Sequence, residues 1–285
     1  MEDLRAQGFG LAAVSYDSQE TLAAFSTQNG ITFPVLSDVG SATIERFGIL
    51  NTVALEYLEN DSDDPEFIAY VRQFATVGGR QERVRGIPFP GTFMVDREGR
   101  VTSRYFEDYY RERSTVSNIM LRLGAGEDTV TGTQIESDHL DITTYPSDGT
   151  VALGNRFALV VDITPGPGMH VYAPGASDYR VISLTVEPQP FLSVLPIDFP
   201  PSEIYYFAPL NERVPVYQKP FRLLQEVVPA VTPEAQKAFA GKDNLTIVGT
   251  LEYQACDDAI CYNPVTVPLT WTVALRPFLR PEPRQ

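Results

Sequence analysis

Residues 251–271 read LEYQACDDAICYNPVTVPLTW. Two alternating runs, Leu245 to Gln254 and Val265 to Ala274, flank a short polar loop, and alternation of that length marks half-buried strands. Cys256 and Cys261 lie in the loop with four residues between them, and they are the only 2 cysteines of the chain. A loop this short lets the two sulfurs meet if the chain turns between them. Closing so few residues stabilises a fold by only about 2 kcal/mol in the chain-entropy picture. A bridge that constrains little and can be reached belongs to the labile class of disulfides. Asp257 and Asp258 disfavour a neighbouring thiolate, so we expect a poised exchange pair activated by its partner, not a highly reactive nucleophile. Two other readings stay open: an inert bridge pinning a hairpin, and a zinc pair. For zinc the ligand spacing is unusual and both histidines lie far upstream.

Working outward, the same short alternating runs recur over His139 to Thr144, Arg156 to Thr164, His170 to Ala173, Arg180 to Glu187 and Phe221 to Val228. Turn residues (PSDG, TPGPG, APG) punctuate them. Seven strands so spaced predict an all-β sandwich of immunoglobulin-like type. The connection from Gln189 to Lys219 is rich in proline and aromatic residues, and loops of that length are usually functional or mobile. Pro233 to Ala240 reads as a short helix.

Upstream of Gly124 the pattern changes. Asp17 with Glu20 resembles a capping box opening a helix with Leu22 and Phe25 on its apolar face. Gly30 stands where a helix stops. ITFPVLSD is a strand-like run, and Ser41 to Phe47 a second helix. Asn51 to Arg85 reads as an insertion, acidic first and basic later, with one helix over Glu66 to Thr76. GIPFPGTFMVDREGRVTSRYF predicts a hairpin, Thr92 to Val95 and Val101 to Phe106, around the turn Arg97-Glu98-Gly99. A helix over Ser114 to Leu123 follows. Strands alternating with helices indicate an α/β layer fold.

The chain opens on MEDLRAQGFGLAAVSYD, with no basic, apolar or small-residue segment of a secretory signal. It reads as the tail of a helix (Met1 to Ala6), a stop at Gly8 and a strand over Leu11 to Tyr16. Lys plus Arg number 22 against 37 for Asp plus Glu, a formal charge of −15. That balance argues against nucleic acid, which needs clustered cations, and against an anionic membrane surface. No apolar run approaches the roughly 20 residues of a membrane span. We expect no cofactor and no metal.

AVSYDSQETLAAF, FPVLSD with its helix ending FGI, and GIPFPGTFMVDREGRV resemble the thioredoxin-like alkyl hydroperoxide reductase/thiol-specific antioxidant family (peroxiredoxin-like). The resemblance covers roughly residues 1 to 123 and implies a cis proline facing the active site at Pro90. It also implies a reactive cysteine on a turn upstream of the helix tail, and this chain has none before Cys256. The central strand between Leu11–Tyr16 and Thr92–Val95 is missing as well. We therefore expect either a longer natural chain, truncated here at its N-terminus, or a borrowed strand.

YQACDDAICYNPVTVPLTW, HVYAPG and VPVYQKPFRL resemble a second family, the N-terminal periplasmic domain of the thiol–disulfide interchange reductase DsbD. This resemblance covers roughly residues 138 to 275. It implies an immunoglobulin-like fold, with Cys261 forming a mixed disulfide and Cys256 resolving it. It further implies an aromatic cap in Tyr205-Tyr206-Phe207, with Phe207 or Tyr206 as the shield, and aromatic neighbours mapping near His170 and Tyr172. His170 departs from the family's aromatic residue.

The expected architecture is two domains: an α/β thioredoxin-like domain, incomplete at its N-terminus (1–123), a linker (124–137), an all-β immunoglobulin-like sandwich (138–277) and a tail (278–285). The expected function is thiol–disulfide exchange through Cys256 and Cys261, extracytoplasmic, with thioredoxin-like domains or proteins and a membrane electron donor as partners. Two alternatives remain. One is a peroxiredoxin-type antioxidant whose catalytic cysteine lies in a missing N-terminal segment; peroxidase turnover is not expected from these residues alone. The other is a non-catalytic binding module with a structural disulfide.

Overall fold

A computed structural model describes residues 4–5, 8–51, 86–106, 112–122, 131–177, 179–197, 199–207 and 211–276. The expected helix over Glu66 to Thr76 and the tail lie outside them. The chain divides into two compact units, residues 1–110 with 280–285, and residues 111–279.

In unit one, β1 (Ala13–Ser15) leads into α1 (Gln19–Gln28). The N-cap is Ser18, whose hydroxyl accepts from the Thr21 N–H. Asp17, expected as the cap, instead accepts from the Ser15 hydroxyl at 2.7 Å. Gly30 adopts φ 61° just past the C-cap Asn29, the left-handed conformation that ends a helix cheaply only without a Cβ. β2 (Val35–Ser37) pairs parallel with β1. In α2 (Ala42–Arg46) the first free N–H groups are satisfied from upstream, because the Asp38 carboxylate accepts from Thr43 and Ile44. β3 (Gly91–Val95) and β4 (Val101–Phe106) form the expected hairpin. Asp96 ties its turn by accepting from the Glu98 and Arg100 amides. Among the described residues β1–β2 and β3–β4 form separate two-stranded sheets. Val14 and Leu36, paired across β1 and β2, are 44% and 51% exposed. The peptide before Pro90 is trans, because no described peptide bond is cis. This corrects the expectation drawn from resemblance. The Phe89 N–H bonds to the Ile49 carbonyl and the chain runs on directly into β3, an extended path that the ordinary lower-energy isomer serves.

Unit two begins earlier than the sequence suggests. β5 (Arg113–Ser114) pairs parallel with β9 (Asn155–Pro165), and α3 (Val116–Arg122) packs against the sandwich. Leu121 clusters with Tyr145, Ala158 and Val160. Asn118 and Arg122 donate to the two oxygens of Glu226 at 2.6 and 2.7 Å. The helix expected to close the first domain is thus held by the second, through the Leu121 cluster and Glu226. Part of the expected linker is also a strand: β6 (Thr133–Ser137) pairs with β7 (Leu140–Pro146), and Ile135 packs on the core.

The remaining elements are β8 (Thr150–Val151), β9 (Asn155–Pro165), β10 (His170–Tyr172), β11 (Ser183–Val186), β12 (Leu192–Val194), β13 (Glu203–Phe207), β14 (Glu212–Tyr217), β15 (Phe221–Pro229), α4 (Pro233–Phe239), β16 (Asn244–Tyr253), β17 (Ala255–Cys256) and β18 (Val265–Leu275). One sheet runs β12-β15-β9-β7-β6, with β5 beside β9, and a second β11-β16-β18-β8. Phe157, Leu159, Val161 and Ile163 of the first share one core with Ile247, Leu269, Trp271 and Val273 of the second. The alternation seen in the sequence is this inward face. The Trp271 indole N–H donates to the Thr144 hydroxyl at 2.7 Å, which donates to the Val160 carbonyl. Gly249 passes beneath that indole. A Cβ there would stand 2.6 Å from the Thr185 carbonyl and 3.0 Å from the Trp271 ring, so no larger residue fits. A third sheet, β13-β14-β10-β17, carries the cysteines. The Gln189–Lys219 connection, expected as a loop, therefore holds β12, β13 and β14.

Candidate functional site

The third sheet has two faces of different character. In β10 and β17, Val171 pairs with Ala255 and His170 with Cys256. Val171 and Ala255 belong to the main core. Tyr172, Val214, Val216 and Cys256 form a separate cluster on the other face, with Tyr179 and Tyr205 against it. Successive strand residues point to opposite faces, so His170, Tyr172 and Cys256 share that second face. Cys256 is bridged to Cys261, with their Cα atoms 4.0 Å apart.

The two sulfurs differ in access. Cys256 is 1% exposed, whereas Cys261 lies on an exposed stretch with Ala259 and Ile260. The Asp257 carboxylate shapes the loop by accepting from the Ala259 and Ile260 amides at 2.7 and 2.8 Å, and from the Tyr262 hydroxyl at 3.0 Å. The Asp257 N–H in turn donates to the Ile260 carbonyl. These bonds, the Ile260 amide first, hold the Asp257 carboxyl below its ordinary value of 3.8. The charged form is therefore favoured by the folded loop. Its contribution is complete above the unfolded aspartate value and is lost as pH falls through the lower folded one. Protection of the Ala259 and Ile260 amides, taken against the intrinsic exchange rate at each pH, should fall over that acid range. Asp257→Asn, which keeps an acceptor oxygen, should make that protection independent of pH, and Asp257→Ala should abolish it throughout.

Asp258 points elsewhere, accepting from the Tyr205 hydroxyl at 2.7 Å. That bond, with burial, pushes the Tyr205 hydroxyl up to about 12. The Tyr205 ring lies tilted against His170 with centroids 4.6 Å apart, so β13 is tied to the cysteine loop across β14 and β10. Tyr172 donates to Cys261 Sγ at 3.5 Å, the bridged sulfur having no proton to give. Its ring stacks on Tyr179 at 4.1 Å, and Tyr179 donates to Glu212. Burial first, and then the Glu212 charge, raises the Tyr172 hydroxyl above its ordinary value.

Of the expected cap residues, Tyr205 spans the cluster. Phe207 follows on the same face, its ring centroid 6.5 Å from that of Tyr205. Tyr206 does not take part, contrary to expectation. It alternates to the opposite face, beneath the Arg213 guanidinium and bonded to Asn211. Tyr179 and Glu212 were not anticipated, since they reach Tyr172 only through sheet pairing between distant segments. His139, whose ring lies tilted against Tyr262 at 3.9 Å, was not anticipated either. His139 takes a positive φ of 66° in the tight turn between β6 and β7, which no local motif announces.

A thioredoxin-like region followed by a strand-rich, immunoglobulin-like region that carries a paired-cysteine loop defines the class of this chain. Residues 1–104 match the AhpC/TSA family, and residues 146–270 match the N-terminal region of the thiol:disulfide interchange protein DsbD. Among solved structures, the DsbD N-terminal domain of Neisseria meningitidis in its reduced form is 18% identical, with a TM-score of 0.28. That alignment covers 41% of this chain and 81% of the other. The N-terminal periplasmic domain of ScsB from Proteus mirabilis is 12% identical, with a TM-score of 0.34, and covers 49% of each chain. No curated protein matches. The two family matches support a thiol–disulfide redox role in general. No helix among the described residues is long and apolar enough to cross a membrane.

Proposed function

We propose that the sandwich is a thiol–disulfide exchange module that passes electrons between its Cys256–Cys261 pair and a thioredoxin-like partner in an oxidising, extracytoplasmic compartment. The observation that carries this reading is the unequal access of the two sulfurs. A visiting thiolate can reach only Cys261. Its attack forms a sulfur–sulfur bond to Cys261 and breaks the bridge, with the bonding electron pair leaving on Cys256. The partner's second thiolate then displaces Cys261, so that the partner is oxidised by two electrons and the pair reduced. In the reverse direction Cys256 attacks the mixed disulfide and releases the partner. Ile260, 56% exposed beside Cys261, offers an apolar contact for docking. The first region holds no cysteine within these 285 residues, so the thiol that meets Cys261 lies outside them. Both family matches concern thiol chemistry, and a disulfide in a β-sandwich suits an oxidising compartment.

Equilibration of the full chain against dithiol buffers tests the reading. A working pair should titrate at a potential above about −300 mV. A potential well below that belongs to an inert bridge and would overturn the proposal.

A further inference from the structure

His170 is 2% exposed, and among the described residues its Nδ1 has no hydrogen-bond partner. A buried polar atom left unpaired costs about 1–3 kcal/mol and calls for a physical reason. The residue directly opposite in the antiparallel ladder is Cys256. Directly opposed residues place their Cβ atoms about 4.5–5.5 Å apart on one face, so the His170 and Cys256 side chains leave the ladder side by side. In the bridged state that sulfur has nothing to donate. In the reduced state it carries a proton. The orphaned nitrogen therefore gains a partner only when the bridge opens.

We propose that His170 is the proton acceptor of Cys256. This extends the exchange reading given above and rests on it. When the bridge breaks, the electron pair arrives on a sulfur that is desolvated and near Asp257 and Asp258, both of which penalise a thiolate. Unassisted, Cys256 would take a proton and become a thiol, which does not attack disulfides. With His170 beside it, the proton resides on the imidazole, and thiolate and imidazolium neutralise one another. When Cys256 attacks the Cys261 mixed disulfide, the bridge re-forms and the partner departs as a thiolate. The imidazolium proton then returns to solvent or to that leaving group.

The other titratable groups facing this position are poorly suited. From β13, the Tyr205 hydroxyl donates its hydrogen bond to Asp258 and keeps its proton far above neutrality. From β10 itself, Tyr172 is also raised, and Glu212 of β14 is engaged by Tyr179. In the cysteine loop, Asp257 is committed to two amides and Tyr262. Burial lowers His170 from its ordinary value, while Asp258 and Asp257 pull it back. It is therefore neutral, and free to accept, in the bridged state. Imidazole is the one side chain here whose protonation changes within reach of neutral pH.

The test uses the full chain carrying Cys261→Ser, which leaves Cys256 as the sole thiol and needs no partner protein. Thiolate absorbance is titrated with His170 intact and with His170→Phe, which keeps a ring under Tyr205. The thiolate fraction of Cys256 at neutral pH should fall about tenfold or more, the equivalent of one pKa unit. His170→Gln, polar but not protonatable in this range, serves as a second variant and should show the same loss. Independently, the His170 imidazole, distinguished from the chain's other histidine by His139→Gln, should titrate at higher pH in the reduced wild-type chain than in the oxidised one. An unchanged thiolate fraction in both variants, or one imidazole titration common to both redox states, would overturn the proposal. Failure of the exchange reading would show differently: an ordinary Cys256–His170 titration, but no covalent capture of a partner.

Discussion

The full chain carrying Cys256→Ser should accumulate a covalent complex with a thioredoxin-like dithiol protein, whereas Cys261→Ser should accumulate none. The asymmetry follows from burial. Cys261 is exposed at the loop tip and Cys256 is 1% exposed beneath it. With Cys256 gone, the mixed disulfide on Cys261 loses the internal thiolate that resolves it forward, and only the partner's second thiolate, which reverses the capture, or slow external attack can open it. With Cys261 gone, the remaining sulfur is out of a partner's reach. Both variants should lose turnover by roughly a hundredfold or more, since members of a group that acts as a unit are not independently dispensable. Non-reducing electrophoresis of each variant with an oxidised partner reads the result. Equal trapping by the two variants would show that access does not order the steps.

Trp271→Ala should unfold the sandwich far more readily. The indole is 1% exposed in the core shared by the two large sheets and donates to Thr144 on the facing sheet. Its loss leaves a large void and removes a cross-sheet hydrogen bond. Truncation of a buried tryptophan costs about 3–5 kcal/mol. At about 2–4 °C per kcal/mol for a unit of this size, the Tm should drop by about 6–20 °C. Since this is the chain's 1 tryptophan, circular dichroism is the suitable probe. A cost below about 1 kcal/mol, typical of surface sites, would place the residue outside the core.

The long strands were legible because their pattern is purely local. β16 and β18 alternate along their length, β9 and β15 are long and mostly buried runs, and the expected limits of all four fall within about two residues of the observed ones. The cysteine loop was legible for the same reason, being bounded by two such strands. β13 and β14 were not. Pro215 interrupts the second of them, and both pack on a small cluster that also draws on Tyr172 and Cys256 from distant segments. The choice among Tyr205, Tyr206 and Phe207 depends on which face β13 turns toward β10, and no property of the three residues announces that. The domain boundary failed for a related reason. Asn118 meets Glu226 across 108 positions, so the helix looks like an ending until its distant partner is known. His170 could be named as a departure, but its unpaired nitrogen becomes visible only when β10 is set against β17.

β10 is three residues long, and its middle residue, Val171, is rooted in the main core while its neighbours form the redox face. The cysteine loop is thereby anchored through Ala255 to the same interior that keeps the sandwich folded. An excised peptide spanning Leu251 to Trp271 would keep both sulfurs yet lose the histidine, the tyrosines and the unequal access. The chemistry is thus a property of the whole scaffold, and transplanting it to another protein would require moving three non-adjacent strands together.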